Sequence, residues 1–283
     1  MKKIQIFTNL KNIIMHLYKK LLVTLSLTFI ILELFNIPIS AQTEQNTSLF
    51  TTSWYESEGA RIRLAMTQPS PSGIREGFIE IVLKPGWKTY WRNPGNSGIA
   101  PSFHFNQQAS YEIFYPTPQL YETENNWSLG YKDKVVLPFS ISGVKKDLSG
   151  ILTLGLCHKI CLPVTINFDF SPSVQKNIPL PLSLLKKAQD ALPRTIHHEF
   201  KISAEKETNT LLIKIQNNNK ISPSSLFLDG GEMQIGPAKK VRENAEYTLF
   251  SAPLSFIPDG GSRTIFYTIS FKDLAFSGTF TLL

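Results

Sequence analysis

The feature that most limits the fold of this chain is a two-residue alternation of apolar and polar side chains in short runs. RIRLAM (61–66), FIEIVL (78–83), VVLPFSI (135–141), ILTLGL (151–156) and TINFDF (165–170) carry it. In the last run Ile166, Phe168 and Phe170 share a face opposite Asn167 and Asp169. Successive side chains of an extended strand point to opposite faces, so each run can bury one side and leave the other in water. Turn-forming clusters separate the runs: Gln68-Pro69-Ser70-Pro71-Ser72-Gly73, Lys84-Pro85-Gly86 and Asn93-Pro94-Gly95-Asn96. Short strands closed by frequent turns predict an all-β fold built from antiparallel sandwiches.

With 283 residues the chain exceeds the usual single core. Residues 172–181 (PSVQKNIPLP) are Pro-bearing and break the strand pattern. After them Ser183 is placed to cap a short helix with Leu184, Leu185, Ala188 and Leu192 on one face, stopped by Pro193. Strands resume at LLIKIQ (211–216) and continue through TIFYTISF (264–271). The expected organisation is a first β domain over 48–174, a linker with a short helix over 175–196, and a second β-sandwich domain over 197–283. The second half echoes the first. Lys146-Asp147-Leu148-Ser149-Gly150 before ILTL resembles Lys272-Asp273-Leu274 with Ser277-Gly278 before TFTL, and Ala100-Pro101-Ser102-Phe103 resembles Ser222-Pro223-Ser224. On that alignment residues 205–283 duplicate 75–156, and the second domain is redox-silent because the copy ends at Leu283, just before its counterpart of the turn between Cys157 and Cys161 would begin; the alternative reading is convergence of strand and turn composition.

The first forty-one residues read as an export signal. A basic start ends at Tyr18-Lys19-Lys20, the apolar run LLVTLSLTFIILELF follows, and Ile39-Ser40-Ala41 offers a small residue at a cleavage point before Gln42. The alternative is a retained N-terminal membrane anchor, since Leu21 to Ile39 approaches spanning length. Either reading sends the rest of the chain to an oxidising compartment such as the periplasm. The charge must be read with this segment set aside. Its five lysines against Glu33 account for much of the net +7, leaving 24 basic and 21 acidic residues. A scattered +3 does not argue for nucleic acid. Composition, at 42% hydrophobic, 18% charged and 11% aromatic, excludes disorder, collagen and long coiled coil.

Chemistry, where the sequence carries any, sits at the two cysteines, Cys157 and Cys161. Two apolar strands flank His158-Lys159-Ile160, so a three-residue turn would set the sulfurs opposite one another, near the ~5.5 Å Cα separation that suits a disulfide. As a staple such a bridge is modest: loop entropy gives ~2 kcal/mol for a five-residue ring against ~4 for one of about sixty residues. His158 and Lys159 place positive charge beside the pair, which favours thiolate. Spacing alone leaves three readings open: a redox pair, a structural bridge, and metal binding. Cys157, His158 and Cys161 supply three ligands for copper(I) or zinc, but no fourth is identifiable, and His197-His198 reads as surface polarity. No CxxCH for covalent haem occurs, and neither a metal site nor a cofactor is assigned.

Four blocks in one order then resemble a known family: LKPGWKTYWRNPGNSGIAPSF (83–103), YPTPQLYE (115–122), LGYKDKVVLPFSI (129–141) and CHKICLP (157–163). Residues of about 50–172 are similar to the N-terminal periplasmic (alpha) domain of the transmembrane thiol:disulfide interchange protein DsbD, in the version also found in the copper-tolerance protein ScsB. The resemblance implies an immunoglobulin-like sandwich that takes electrons from a membrane-embedded partner and passes them to periplasmic thiol-disulfide proteins. It implies that Cys161 forms the mixed disulfide and Cys157 resolves it. It also projects a cap loop onto 122–129, with Trp127 as the shielding ring beside Asn126 and Glu124; the alternative for Trp127 is a half-buried core aromatic. Tyr90, Trp91 and Tyr131 fall in the matched blocks, Tyr90 and Trp91 as core or cleft wall and Tyr131 as cleft wall, with His158 and Lys159 tuning the thiols.

The chain departs from the family in two respects. DsbD has a longer spacer between its cysteines and continues into a membrane domain and a thioredoxin-like domain. Here a membrane electron donor would be another chain, or else the protein works in the oxidising or isomerising direction. Two readings of other classes stand beside interchange: a noncatalytic envelope β-sandwich with a structural disulfide, and a copper(I)-handling protein.

Overall fold

The computed structural model describes Met15, Tyr18 and residues 49–283 apart from 125, 145–146, 172–179, 196–200, 218–221, 261–262, 273 and 283. The expected export segment, the start of the linker and His197-His198 therefore lie outside the described residues, save Met15 and Tyr18. Among the described residues no helix is long and apolar enough to cross a membrane. Both sandwiches and the helix between them belong to one compact unit, Asn46–Leu283.

Alternation becomes strand nearly wherever it occurs. The first sandwich runs β1 (Phe50–Thr51), β2 (Tyr55–Glu56), β3 (Ala60–Met66), β4 (Arg75–Leu83), β5 (Lys88–Tyr90), β6 (Ser102–Phe105), β7 (Ser110–Ile113), β8 (Gln119–Glu122), β9 (Trp127–Lys132), β10 (Lys134–Ser142), β11 (Ser149–Cys157) and β12 (Cys161–Asp169). Helix α1 (Ser183–Asp190) follows. The second sandwich runs β13 (Arg194–Thr195), β14 (Ile202–Glu207), β15 (Thr210–Gln216), β16 (Ser225–Asp229), β17 (Gln234–Ile235), β18 (Lys239–Glu243), β19 (Tyr247–Phe256), β20 (Thr264–Ser270) and β21 (Ala275–Thr281).

One sheet of the first sandwich has the order β1-β3-β4-β10-β7, and the other β12-β11-β5-β9-β8 with β6 also on β11. Their inner faces meet in one core: Ile62, Leu64, Ile79, Ile81 and Leu137 from the first sheet, and Leu152, Leu154, Leu156, Ile166 and Phe168 from the second. This is the two-layer antiparallel sandwich that alternation predicts, of the immunoglobulin-like kind that the resemblance implies. Residues of the opposite parity face outward. On the first sheet Ala65 and Phe78 are such residues, and they are buried because α1 lays Leu185 over them. Covering one leucine in this way is worth ~2 kcal/mol. The helix differs from expectation at its ends. Its N-cap is Leu182 without a side-chain cap bond, Ser183 is already helical, and only Leu185 and Ala188 are buried on it.

The second sandwich has its own core, built on Leu211, Ile213, Ile215, Phe250, Ile265 and Ile269. Its sheets order as β14-β15-β19-β17, with β18 also on β19, and β13-β21-β20-β16. All pairs are antiparallel except β13–β21, where the linker's short strand joins the edge in parallel. The pairing scheme repeats that of the first sandwich. β16 pairs β20 as β6 pairs β11, and β20–β21 forms the hairpin that β11–β12 forms. The sequence echo aligns Ser149-Gly150 with Ser277-Gly278, that is, β11 with β21, one strand out of step. The counterpart of the cysteine turn is therefore not lost beyond Leu283. It is the β20–β21 turn, closed by Phe271 N–H donating to the Leu274 carbonyl, and it carries no cysteine.

Candidate functional site

β11 and β12 are both nine residues long and pair in register along their whole length, ending with Cys157 opposite Cys161. His158-Lys159-Ile160 make the loop, with His158 N–H donating to the Ile160 carbonyl at 3.3 Å. The cysteines form a disulfide with a Cα separation of 4.1 Å, shorter than the expected ~5.5 Å. Leu152, Leu154 and Leu156 face the core, so Cys157 has the opposite parity and the pair sits on the outer face of its sheet. The two sulfurs are not equivalent. Cys157 is 6% exposed, whereas Cys161 is half-buried beside an Ile160 that is 72% exposed.

The group against Cys161 is Tyr90, whose phenolic oxygen lies 2.9 Å from Sγ. A disulfide sulfur carries no hydrogen, so the phenol donates. Burial raises the Tyr90 pKa, which keeps that proton in place at neutral pH. Two glycines make the contact possible. A Cβ on Gly155 would stand 2.8 Å from one edge of the ring, and a Cβ on Gly98 2.5 Å from the other. Gly98 thus lies against the Tyr90 ring, and the loop is tied down by Gly155 N–H donating to the Ile99 carbonyl at 3.0 Å.

Around the hairpin tip His158 stacks on Trp87 at 5.7 Å, and Lys159 is exposed. The next strand supplies cations that the sequence reading did not single out. Lys88 is the cross-strand partner of Cys157, and Lys132 that of Lys88. Both ammonium groups lie over the ring of Tyr121, at 5.4 and 4.6 Å. Alternation in Lys88-Thr89-Tyr90 puts Lys88 and Tyr90 on one face, which was readable; which strand lay beside them was not.

The expected cap is built differently. Trp127 lies on the β8–β9 hairpin, as projected, but it shares the parity of Leu129 and Tyr131 and packs against the inner core. It is also five residues along β9 from Lys132, about 16 Å from the cysteine row. Its neighbours are Asn96, whose Oδ1 accepts from the Trp127 N–H at 3.2 Å, and a cavity of about 720 Å³ shared with Met233 and Ile235 of the second sandwich. Glu124 and Asn126 are exposed at that far end, and Glu122 at its base pairs with Lys239 at 3.0 Å. This hairpin therefore meets the second sandwich rather than the sulfurs. The residues expected as core or cleft wall divide between the two. Tyr90 lines the pair, whereas Trp91 and Tyr131 face the core, Tyr131 donating to the Pro116 carbonyl at 2.8 Å. Burial raises its pKa well above the ordinary value.

Fold and site together define a two-sandwich β protein with a half-exposed disulfide at a hairpin tip. Residues 63–171, the greater part of the first sandwich, match the family described as "Thiol:disulfide interchange protein DsbD, N-terminal", so this sandwich carries a thiol:disulfide interchange-type domain. The chain is similar to the crystal structure of the N-terminal periplasmic domain of ScsB from Proteus mirabilis, with a TM-score of 0.71 and 20% identity. That alignment covers 83% of this chain and 99% of the other, more than the first sandwich spans. At that identity the likeness is one of fold. A search of curated proteins found no match.

Proposed function

We propose that this is an exported, periplasmic thiol:disulfide interchange protein in which Cys161 exchanges and Cys157 resolves. The observation that carries the reading is the asymmetry of the pair: the less buried of the two cysteines is the one whose sulfur the Tyr90 hydroxyl contacts. In the reduced state a phenol donating to Cys161 favours its thiolate, the attacking form.

The exchange balances in two displacements. The Cys161 thiolate attacks a partner disulfide, a new S–S bond joins the two proteins, and the partner's second sulfur leaves as thiolate and takes a proton. The Cys157 thiolate then attacks Cys161, restoring the intramolecular disulfide and releasing the partner as a dithiol. Two electrons have moved to the partner. They are replaced by a dithiol donor embedded in the membrane on another chain. The loop that carries Gly98, against the Tyr90 ring, and the exposed Ile99 is the segment that a docking partner would press on or displace. The 1–41 segment is the export signal, and residues 197–283 are a redox-silent second sandwich.

The test is trapping. Cys157→Ser leaves Cys161 without its resolving partner, so the full chain should accumulate a covalent complex with periplasmic disulfide proteins that reductant dissolves. Cys161→Ser should accumulate none. Equal trapping by both variants, or none by either, would count against the assignment.

A further inference from the structure

The row that contains the disulfide continues sideways as Cys161, Cys157, Lys88, Lys132, each the cross-strand partner of the next. Cross-strand partners project to the same face, and neighbouring strands are ~4.8 Å apart, so the backbone positions of the two lysines stand about 5 and 10 Å from that of Cys157. Lys88 donates from Nζ to Ser128 Oγ at 2.8 Å, and both ammonium groups rest over Tyr121. Tyr121 in turn donates to Gln119 Oε1 at 2.8 Å.

What this cluster lacks is a counter-ion. Among the described residues neither lysine has a carboxylate within ion-pair distance. Asp133 helps to raise the Tyr121 pKa, after burial, but pairs with neither. Burial, and then repulsion from Lys132, lowers the Lys88 pKa. Two cations of like sign are thus held on one aromatic ring next to a half-exposed disulfide, at a cost that an incoming anion would relieve.

We infer that Lys88 and Lys132 form a docking point for a carboxylate on the partner protein, carried near its reactive cysteine. This rests on the reading that Cys161 exchanges. An extended chain advances ~3.3 Å per residue, so a partner cysteine bonded to Cys161 would bring an Asp or Glu two to four residues away onto the lysine pair. The lysines would steer acidic partners to the sulfur and disfavour basic ones.

The experiment uses the reduced full-length chain and short single-cysteine peptides blocked as mixed disulfides with a chromogenic aromatic thiol. The peptides differ only in a Glu, Gln or Lys two residues from the cysteine. Release of the chromophore should be about tenfold faster for the Glu than for the Lys peptide at about 20 mM salt, with the gap closing near 1 M. In Lys88→Gln/Lys132→Gln the Glu-to-Lys rate ratio should fall to about one. Lys132→Gln alone, at an exposed position, should give an intermediate ratio and guards against a double variant that fails to fold. Equal rates for the Glu and Lys peptides on the unaltered protein, or a ratio unchanged in the variants, overturns the docking point. Failure of the Gln peptide to react through Cys161 at all overturns the exchange reading itself, and the docking point with it.

Discussion

The hydroxyl of Tyr90 reaches Sγ of Cys161 across an intervening strand, although the two residues are 71 positions apart. β5 and β12 do not pair; both flank β11. The phenol gets from one to the other because the residue of β11 beneath its ring is Gly155, whose cross-strand partner on β12 is Pro163, two residues from Cys161. The disulfide is thus joined by a directed hydrogen bond to the strand that also carries Lys88.

Removing that hydroxyl should be felt at the sulfur and little elsewhere. Tyr90→Phe keeps the ring between Gly98 and Gly155 and should cost at most ~1 kcal/mol of stability. In the reduced protein a hydrogen bond to a thiolate, worth ~1.5 kcal/mol or more, would be lost. Thiolate population falls while intrinsic nucleophilicity partly compensates, so alkylation of Cys161 near neutral pH should slow about three- to tenfold. Its pH profile should move to higher pH. Rates of iodoacetamide labelling against pH check this, and an unchanged profile would remove Tyr90 from the account.

Phe227 lies on β16 of the second sandwich but is buried in the core of the first, with its ring 6.4 Å from that of Trp91. Beside it Asn93 Nδ2 donates to the Leu228 carbonyl at 2.9 Å. Phe227→Ala should cost ~3 kcal/mol, with the loss concentrated where the sandwiches meet. A single calorimetric unfolding transition should split into two while Cys161 alkylation stays at its original rate.

Glu80 is held on the outer face of the first sheet by Arg63 and Lys134, each 2.6 Å away. Burial alone would raise its pKa, but hydrogen bonds from Lys134 and Arg63 and the charges of both outweigh it, so the carboxyl titrates below its ordinary 4.5. A depressed carboxyl contributes stability that is fully present above the unfolded value and is lost as pH falls through the folded one. Glu80→Gln should therefore cost ~2 kcal/mol at neutral pH, discounted because Lys134 is half-exposed. The gap between the two proteins in urea titrations should hold above about pH 5 and narrow below 4.5.

How much of this was legible in the sequence depends on how far each feature reaches along the chain. TINFDF and ILTLGL became β12 and β11 with their apolar faces as read, because burial of one face is encoded every second residue. The facing cysteines were legible too, since a three-residue loop between paired strands fixes its own register. The Tyr90 contact was not, because it depends on β5 lying beside β11, with Lys88 opposite Cys157 and 69 positions away, a pairing that no local pattern announces. Trp127 was placed by resemblance on the right hairpin, but strand parity turned its ring inward. Of the internal echo, Ala100-Pro101-Ser102 with Ser222-Pro223-Ser224 sets β6 on β16 as the pairing does, whereas Ser149-Gly150 with Ser277-Gly278 is one strand out, because a motif of a few residues fits either strand of a hairpin. α1 needed no Ser183 cap, since Leu185 anchors it on Phe78 and Ala65.

The most direct test of the central claim is the order in which the two sulfurs become available. The full chain is treated briefly with a mild dithiol and then with limiting alkylating reagent, and the modified peptides are quantified by mass spectrometry. The bond should open under conditions that leave the fold intact, and Cys161 should be labelled well before the 6%-exposed Cys157. A bond that opens only when the sandwich unfolds, or label that arrives first on Cys157, would contradict the exchange of Cys161.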